Sequence, residues 1–167
     1  MTTAVATETV TQVFRVYIKA KPQAIWDAIT QPGWAEKYGY ACRSEYELRA
    51  GGKYRVFANA AMKQHASAPD VIIVGEVIEA DPPRKLVQTW HPIWAPEESL
   101  EPATRLTFEI EEEMGVSRLT VTHDVTGAPV VARMVAGNVP NAGGGWPFVL
   151  SDLKTLLETG KSLGEQG

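Results

Sequence analysis

Gly143-Gly-Gly-Trp-Pro-Phe-Val-Leu-Ser-Asp-Leu-Lys-Thr-Leu-Leu-Glu158 is the segment whose reading decides the fold. Trp146, Val149, Leu150, Leu153, Leu156 and Leu157 recur at i, i+3, i+4 and i+7, whereas Asp152, Lys154 and Glu158 fall off that stripe. The periodicity predicts one long amphipathic helix. Pro147 suits a first helical turn, where its missing N–H is no loss, and Gly160 is placed to end the helix. Such a stripe requires a broad apolar partner. The rest of the chain is mostly strand-like, so the expectation is a curved sheet folded around this helix with a hollow between them.

Upstream, Pro129 to Val135 reads as a helical turn, and the glycines 143 to 145 as a hinge. Ser117 to His123 and Thr104 to Glu111 are strands that meet at Glu113-Met114-Gly115. His91 to Glu101 reads as a loop carrying an exposed Trp94. Lys85 to Trp90 and Val71 to Ile78 flank Asp81-Pro82-Pro83, where the prolines leave both ladders free to pair. Asn59 to Asp70 is read as a polar loop. Ser44 to Leu48 and Lys53 to Ala58 are joined by Ala50-Gly51-Gly52, a glycine pair suited to a tight hairpin. Val13 to Lys19 is a further strand, followed by a short helix from Lys21-Pro22 to Ile29 and a second over Trp34 to Tyr38. Connections this short make the strands antiparallel, since parallel neighbours need crossovers of a dozen or more residues. The prediction is an α+β domain over residues 13–160. It has an antiparallel sheet of about six strands, two short helices after the first strand, and flexible tails at 1–12 and 161–167.

A chain of 167 residues, 44% hydrophobic and 22% charged, suits one globular domain with a core that needs no staple. A net charge of -4 without a Lys/Arg cluster leaves no footprint for nucleic acid, whose affinity comes from neutralising phosphates. Cys42 stands alone, so no intrachain disulfide forms. Met1 to Gln12 lacks the basic start and apolar centre of a signal peptide, and no run approaches the length of a membrane span. A cytoplasmic address is expected.

Alternation assigns the faces. Leu106, Phe108 and Ile110 point to the core against Arg105, Thr107 and Glu109, and the same phase places Leu119, Val121 and His123 inward. Leu86, Gln88 and Trp90 form the inner row of their strand. Between Lys53 and Ala58 the phase is open, with Tyr54 and Val56 competing against Arg55 and Phe57.

Several stretches carry a family resemblance. They are Pro22-Gln-Ala-Ile-Trp26, Gly51-Gly52-Lys-Tyr54, Gly75-Glu-Val77 through Asp81-Pro82-Pro83-Arg84 to Thr89-Trp90, Leu119-Thr-Val-Thr-His123, and Gly145-Trp146 with Leu150 and Leu153. In this order the chain resembles the helix-grip fold of the START/Bet v 1-like superfamily, the SRPBCC proteins. Within that superfamily it resembles the activator of Hsp90 ATPase homologue (AHSA1-like) domain. The resemblance spans about Phe14 to Glu158. It implies a sheet wrapped on the last helix with a hydrophobic cavity under the loops. It implies little about chemistry, because the superfamily holds lipid carriers, polyketide cyclases and chaperone-associated domains. The co-chaperone that names the group carries a further amino-terminal domain with no counterpart in these residues, so a chaperone partner is not expected.

The candidate ligand-binding residues are Trp34, Tyr38, Phe57, Gln88, Trp90, His123, Trp146, Val149 and Leu153. His123 is the best catalytic candidate, a titratable group on an apolar row, and equally reads as a core histidine bonded to a carbonyl or hydroxyl. His65, His91, His123 and Cys42 lie on separate segments without metal-ligand spacing, and the glycines 143 to 145 follow no strand, so neither a metal nor a cofactor is expected. Ser151, His123 and Asp124 do not form a triad, because adjacent strand residues face opposite ways. Three functions follow as expectations. The first is a binder of a small hydrophobic or amphipathic molecule. The second is a cofactor-independent cyclase or dehydratase acting on a polyketide-like substrate, with His123 moving a proton. The third is an Hsp90-associated or other protein-interaction module of the co-chaperone kind, using the Trp94 loop or an outer sheet face. A homodimer is compatible with each.

Overall fold

The computed structural model describes residues 9–140 and 142–164. The expected tails fall partly on residues 1–8 and 165–167, which lie outside the described residues. Pairing begins earlier than expected: Val10 already exchanges hydrogen bonds with the Val125–Thr126 segment, and the first strand, β1, spans Thr11–Ile18.

After β1 come helix α1 (Pro22–Thr30) and the single turn α2 (Pro32–Ala35), each opened by a proline. Strands β2 (Ser44–Tyr46) and β3 (Lys53–Phe57) form the predicted hairpin. The supposed polar loop holds a short helix, α3 (Ala60–His65), because Asn59 Oδ1 accepts the Met62 N–H at 2.9 Å and caps it. Strands β4 (Val71–Asp81) and β5 (Lys85–Pro92) follow, then the turn α4 (Pro96–Ser99) inside the other expected loop. The long hairpin β6 (Thr104–Glu113) and β7 (Val116–Asp124) turns at Met114 and Gly115, both in positive φ. Helices α5 (Pro129–Val135) and α6 (Gly145–Thr159) complete the chain, and Gly160 ends α6 in a left-handed cap.

One antiparallel sheet of seven strands runs in the order β1-β7-β6-β5-β4-β3-β2. All seven strand segments read from the sequence join it, one more than the count of about six, and β1 pairs along its whole length with β7, from Thr11 opposite Asp124 to Ile18 opposite Ser117. Irregularities between Val56 and Phe57 and between Val77 and Glu79 bend the β3–β5 region. Gly75 permits the close approach there, since a Cβ at that position would lie 2.1 Å from the Thr89 carbonyl oxygen. Helix α6 packs against β1, α1 and α5, so the sheet wraps the helix with its β1 side nearest.

The inner face is as alternation predicts. Leu106, Phe108, Ile110, Leu119 and Val121 are buried, with Leu150, Leu153 and Leu156 of α6 above the sheet. Asp152 departs from the expectation. It was placed off the apolar stripe, yet it is 3% exposed, because its carboxylate accepts the Gly39 N–H at 2.8 Å and the Leu163 N–H at 2.7 Å. The open phase of β3 resolves in favour of Tyr54 and Val56, which are buried, while the Arg55 guanidinium sits 5.5 Å over the Phe57 ring on the other side.

Candidate functional site

The inner face carries two polar clusters in an apolar surround. The first is centred on His123 of β7, which is fully buried. The Trp146 indole N–H of α6 donates to His123 Nδ1 at 3.0 Å, and His123 Nε2 lies 2.7 Å from the Thr104 hydroxyl. That hydroxyl donates in turn to the Trp90 carbonyl at 2.9 Å. These donors and acceptors fix the tautomer: Nδ1 is the acceptor, so the proton is on Nε2 and points at Thr104. The chain runs one way, from indole to imidazole to hydroxyl to carbonyl, and both ring nitrogens are consumed. Burial pushes the His123 pKa down to about 4, with the Asp124 carboxylate opposing weakly. The ring is neutral at pH 7. The Trp90 and Trp146 rings stand edge-on to it, at centroid distances of 5.3 and 6.1 Å.

The second cluster lies under β2–β5. Tyr46 of β2 and Tyr54 of β3 face each other across the hairpin and stack at 4.5 Å. The Tyr46 hydroxyl donates to Gln88 Oε1 at 2.7 Å, and Gln88 is completely buried. Burial raises the pKa of both phenols, that of Tyr54 to about 12, so neither ionises at neutral pH. In the cross-strand rows Gln88 and His123 both stand opposite Leu106, which separates the clusters.

The structure therefore brings together Trp90, His123 and Trp146, and sets Gln88 apart with two tyrosines that the sequence reading did not select. Trp34, half-buried on α2, has the Lys37 ammonium over its ring at 4.6 Å. Tyr38 donates to the Ala28 carbonyl at 2.9 Å, which ties the α2–β2 loop to α1. Val149 borders that loop, where a side chain at Gly39 would touch it, and Leu153 is core. Phe57 does not join them, because its strand phase carries it to the face it shares with Arg55. Nor does Trp94 protrude, since it packs edge-on against Trp90 at 6.4 Å. Tyr46 and Tyr54 were legible as same-phase residues of one hairpin. The bonds made by Thr104 and Asp152 are not legible in the sequence, because they depend on partners far away in the chain.

Among the described residues, two surface concavities are present, one bordered by Pro22, Arg84 and Glu109 to Glu112, the other by Thr89, Arg105 and Asp124. The Tyr38–Ala41 loop at the edge of the inner face is held down by Asp152, by the Gly145 N–H contact to the Tyr40 hydroxyl and by the Asn59 contact to the Tyr40 carbonyl. Among the described residues no cluster of His, Cys, Asp and Glu is placed to hold a metal, and no helix is long and apolar enough to cross a membrane. The arrangement offers neutral hydrogen-bonding groups in an apolar surround, which suits binding. His123 is not a free general base, because the lone pair of Nδ1 is already engaged by an indole N–H.

Comparison with curated proteins gives no match. Among solved structures, MLL2253 from Mesorhizobium loti superposes with a TM-score of 0.66 at 20% identity, covering 89% of this chain and 97% of that one. The Aha1 dimer from Colwellia psychrerythraea gives 0.62 at 18% identity, covering 92% and 99%. DynU16, from the dynemicin biosynthetic locus, gives 0.64 at 20% identity, covering 91% of this chain and 48% of its own. At these identities the likeness is one of fold, the helix-grip arrangement of a sheet on a long terminal helix. The model of the family described as Activator of Hsp90 ATPase homolog 1-like protein matches residues 19–158, and the chain belongs to that family.

Proposed function

We propose that this protein binds a small hydrophobic or amphipathic molecule on the inner face of β2–β5, beneath the α2–β2 loop. The observation that carries this reading is the Tyr46–Gln88 pair, a neutral polar group buried in an apolar wall and bonded side chain to side chain at 2.7 Å. Buried polar clusters are retained at a cost in stability, and a polar point in an apolar lining is what orients a ligand. Trp90, Trp34 and Leu153 supply apolar surface, whose burial is worth about 25 cal/mol per Å². Entry is by lifting of the Tyr38–Ala41 loop, and affinity is reduced by the fraction of molecules in which that loop is down. A biosynthetic-locus relative of the same fold is consistent with a small-molecule role.

Binding is preferred to catalysis because His123 is spoken for at both nitrogens. A thermal-shift screen with hydrophobic compounds tests the reading, since a ligand of the folded state alone raises the melting temperature by mass action. Protection by a compound, lost in Gln88→Leu while the variant still melts cooperatively, is the expected result. A broad library in which no compound protects the wild type overturns it.

A further inference from the structure

Ser44 is 5% exposed, and its hydroxyl has no hydrogen-bond partner among the described residues. Native proteins keep few such groups, because an unpaired buried donor destabilises the fold. Ser44 stands two residues before Tyr46 on β2 and opposite buried Val56 of β3, so it shares the inner face with Tyr46 and Tyr54. On the same face the Gln88 amide spends its oxygen on the Tyr46 hydroxyl, while its Nε2 makes a long 3.4 Å contact with the neighbouring Thr89 carbonyl and reaches toward the Tyr54 oxygen. The Ser44 hydroxyl is therefore unpaired beside the tyrosine pair, and the Gln88 amide N–H groups are loosely held.

The charge of the interior is the second observation. Among the described residues, Asp152 is the one buried carboxylate side chain, and its oxygens accept the Gly39 and Leu163 N–H groups. No Lys or Arg is among the buried residues, His123 is neutral, and the phenols keep their protons. An anionic ligand would find no counter-ion there, a cationic one would meet only the Asp152 carboxylate that two backbone N–H groups already engage, and a charge removed from water without a free partner is strongly disfavoured. A hydroxyl or carbonyl loses much less and is repaid by Ser44 and Gln88.

Resting on the binding reading above, we propose that the inner-face site selects uncharged amphipathic molecules bearing a hydroxyl or carbonyl oxygen. Ser44 and Gln88 recognise that oxygen, and carboxylates or amines of the same apolar length are rejected. Because Ser44 is unpaired in the free protein, its hydroxyl contributes to recognition at the expense of stability.

The test uses the full chain at pH 7.5 with four probes of one chain length: 1-decanol, 2-decanone, decanoate and decylammonium, each below its solubility limit. Displacement of the neutral fluorophore N-phenyl-1-naphthylamine gives the four dissociation constants. The alcohol and the ketone are expected to bind at least about tenfold more tightly than either ion. Ser44→Ala, which removes an atom without a protein partner, is expected to melt at the same or a higher temperature while losing about fivefold or more in affinity for 1-decanol. If decanoate or decylammonium binds as tightly as 1-decanol, the selectivity is overturned and the binding reading stands. Unchanged affinities in Ser44→Ala overturn the assignment of that residue. If none of the four displaces the fluorophore or shifts the melting temperature, both the selectivity and the binding reading fall.

Discussion

His123 shows how one residue can read as catalytic in sequence and as structural in space. Its imidazole joins α6 to the sheet through Trp146 on one side and Thr104 on the other. Trp146→Phe keeps most of the ring but leaves Nδ1 buried without a donor, and a loss of about 1–3 kcal/mol in urea unfolding is expected. The same geometry sets a pH dependence. The unfolded chain takes up a proton on this residue near pH 6.5, whereas the folded chain does so only near 4. Between those values the unfolded state binds more protons, so stability falls as the pH is lowered. The contribution is fully present above about 6.5, is lost by about 4, and amounts to about 3 kcal/mol. Urea titrations at intervals from pH 7.5 to 4 check this, and the difference between wild type and His123→Gln separates it from the titrating carboxylates. Identical pH profiles for the two proteins would exclude it.

At the scale of the element, α6 is held by more than its leucine stripe. Asp152 ties it to the α2–β2 loop and to the segment after the helix through two backbone N–H groups. Asp152→Ala strands both donors and is expected to cost about 2–4 kcal/mol, with the Gly39 and Leu163 amides exchanging faster than their neighbours by hydrogen-exchange NMR. The start of the helix depends on Gly145, which has a φ of 62° and leaves no room for a Cβ, since that atom would lie 2.3 Å from the Val135 carbonyl oxygen. Gly145→Ala is therefore expected to destabilise by more than about 2 kcal/mol through strain and displacement of α5, measured by chemical denaturation.

For the whole molecule, the sheet is an open one completed by α6. Leu150, Leu153 and Leu156 are buried against it, and at about 1.5–3 kcal/mol each they contribute about 5–9 kcal/mol, which is comparable to the stability of an entire domain. A chain ending at Gly144 is expected to lose its cooperative thermal transition and to bind hydrophobic dyes. A two-state melt in that truncated chain would mean that the sheet closes on itself. The β1–β7 ladder has the same global standing: it joins the first strand to the last, and its paired residues lie 99 to 113 positions apart in the chain.

The long terminal helix, the antiparallel hairpins and the inward rows of β6 and β7 were determined by sequence alone, because periodicity of 3.6 or 2 and glycine or proline punctuation are local properties. Local pattern also carried His123 to the inner face. It could not say that Trp146 and Thr104 would occupy both of its nitrogens, since those partners lie 23 and 19 residues away in the chain and meet it only after α6 docks. The phase of β3 was ambiguous because both of its alternating sets contain an aromatic residue, and the pairing of Tyr54 with Tyr46 decided it against Phe57. Asp152 read as a solvent-facing acid, since a carboxylate is buried only where donors converge, and the Gly39 loop and the Leu163 segment converge there through the tertiary fold. Whether a space under the helix stands open or is filled is not a local property either, because it depends on how side chains from several distant segments share one volume.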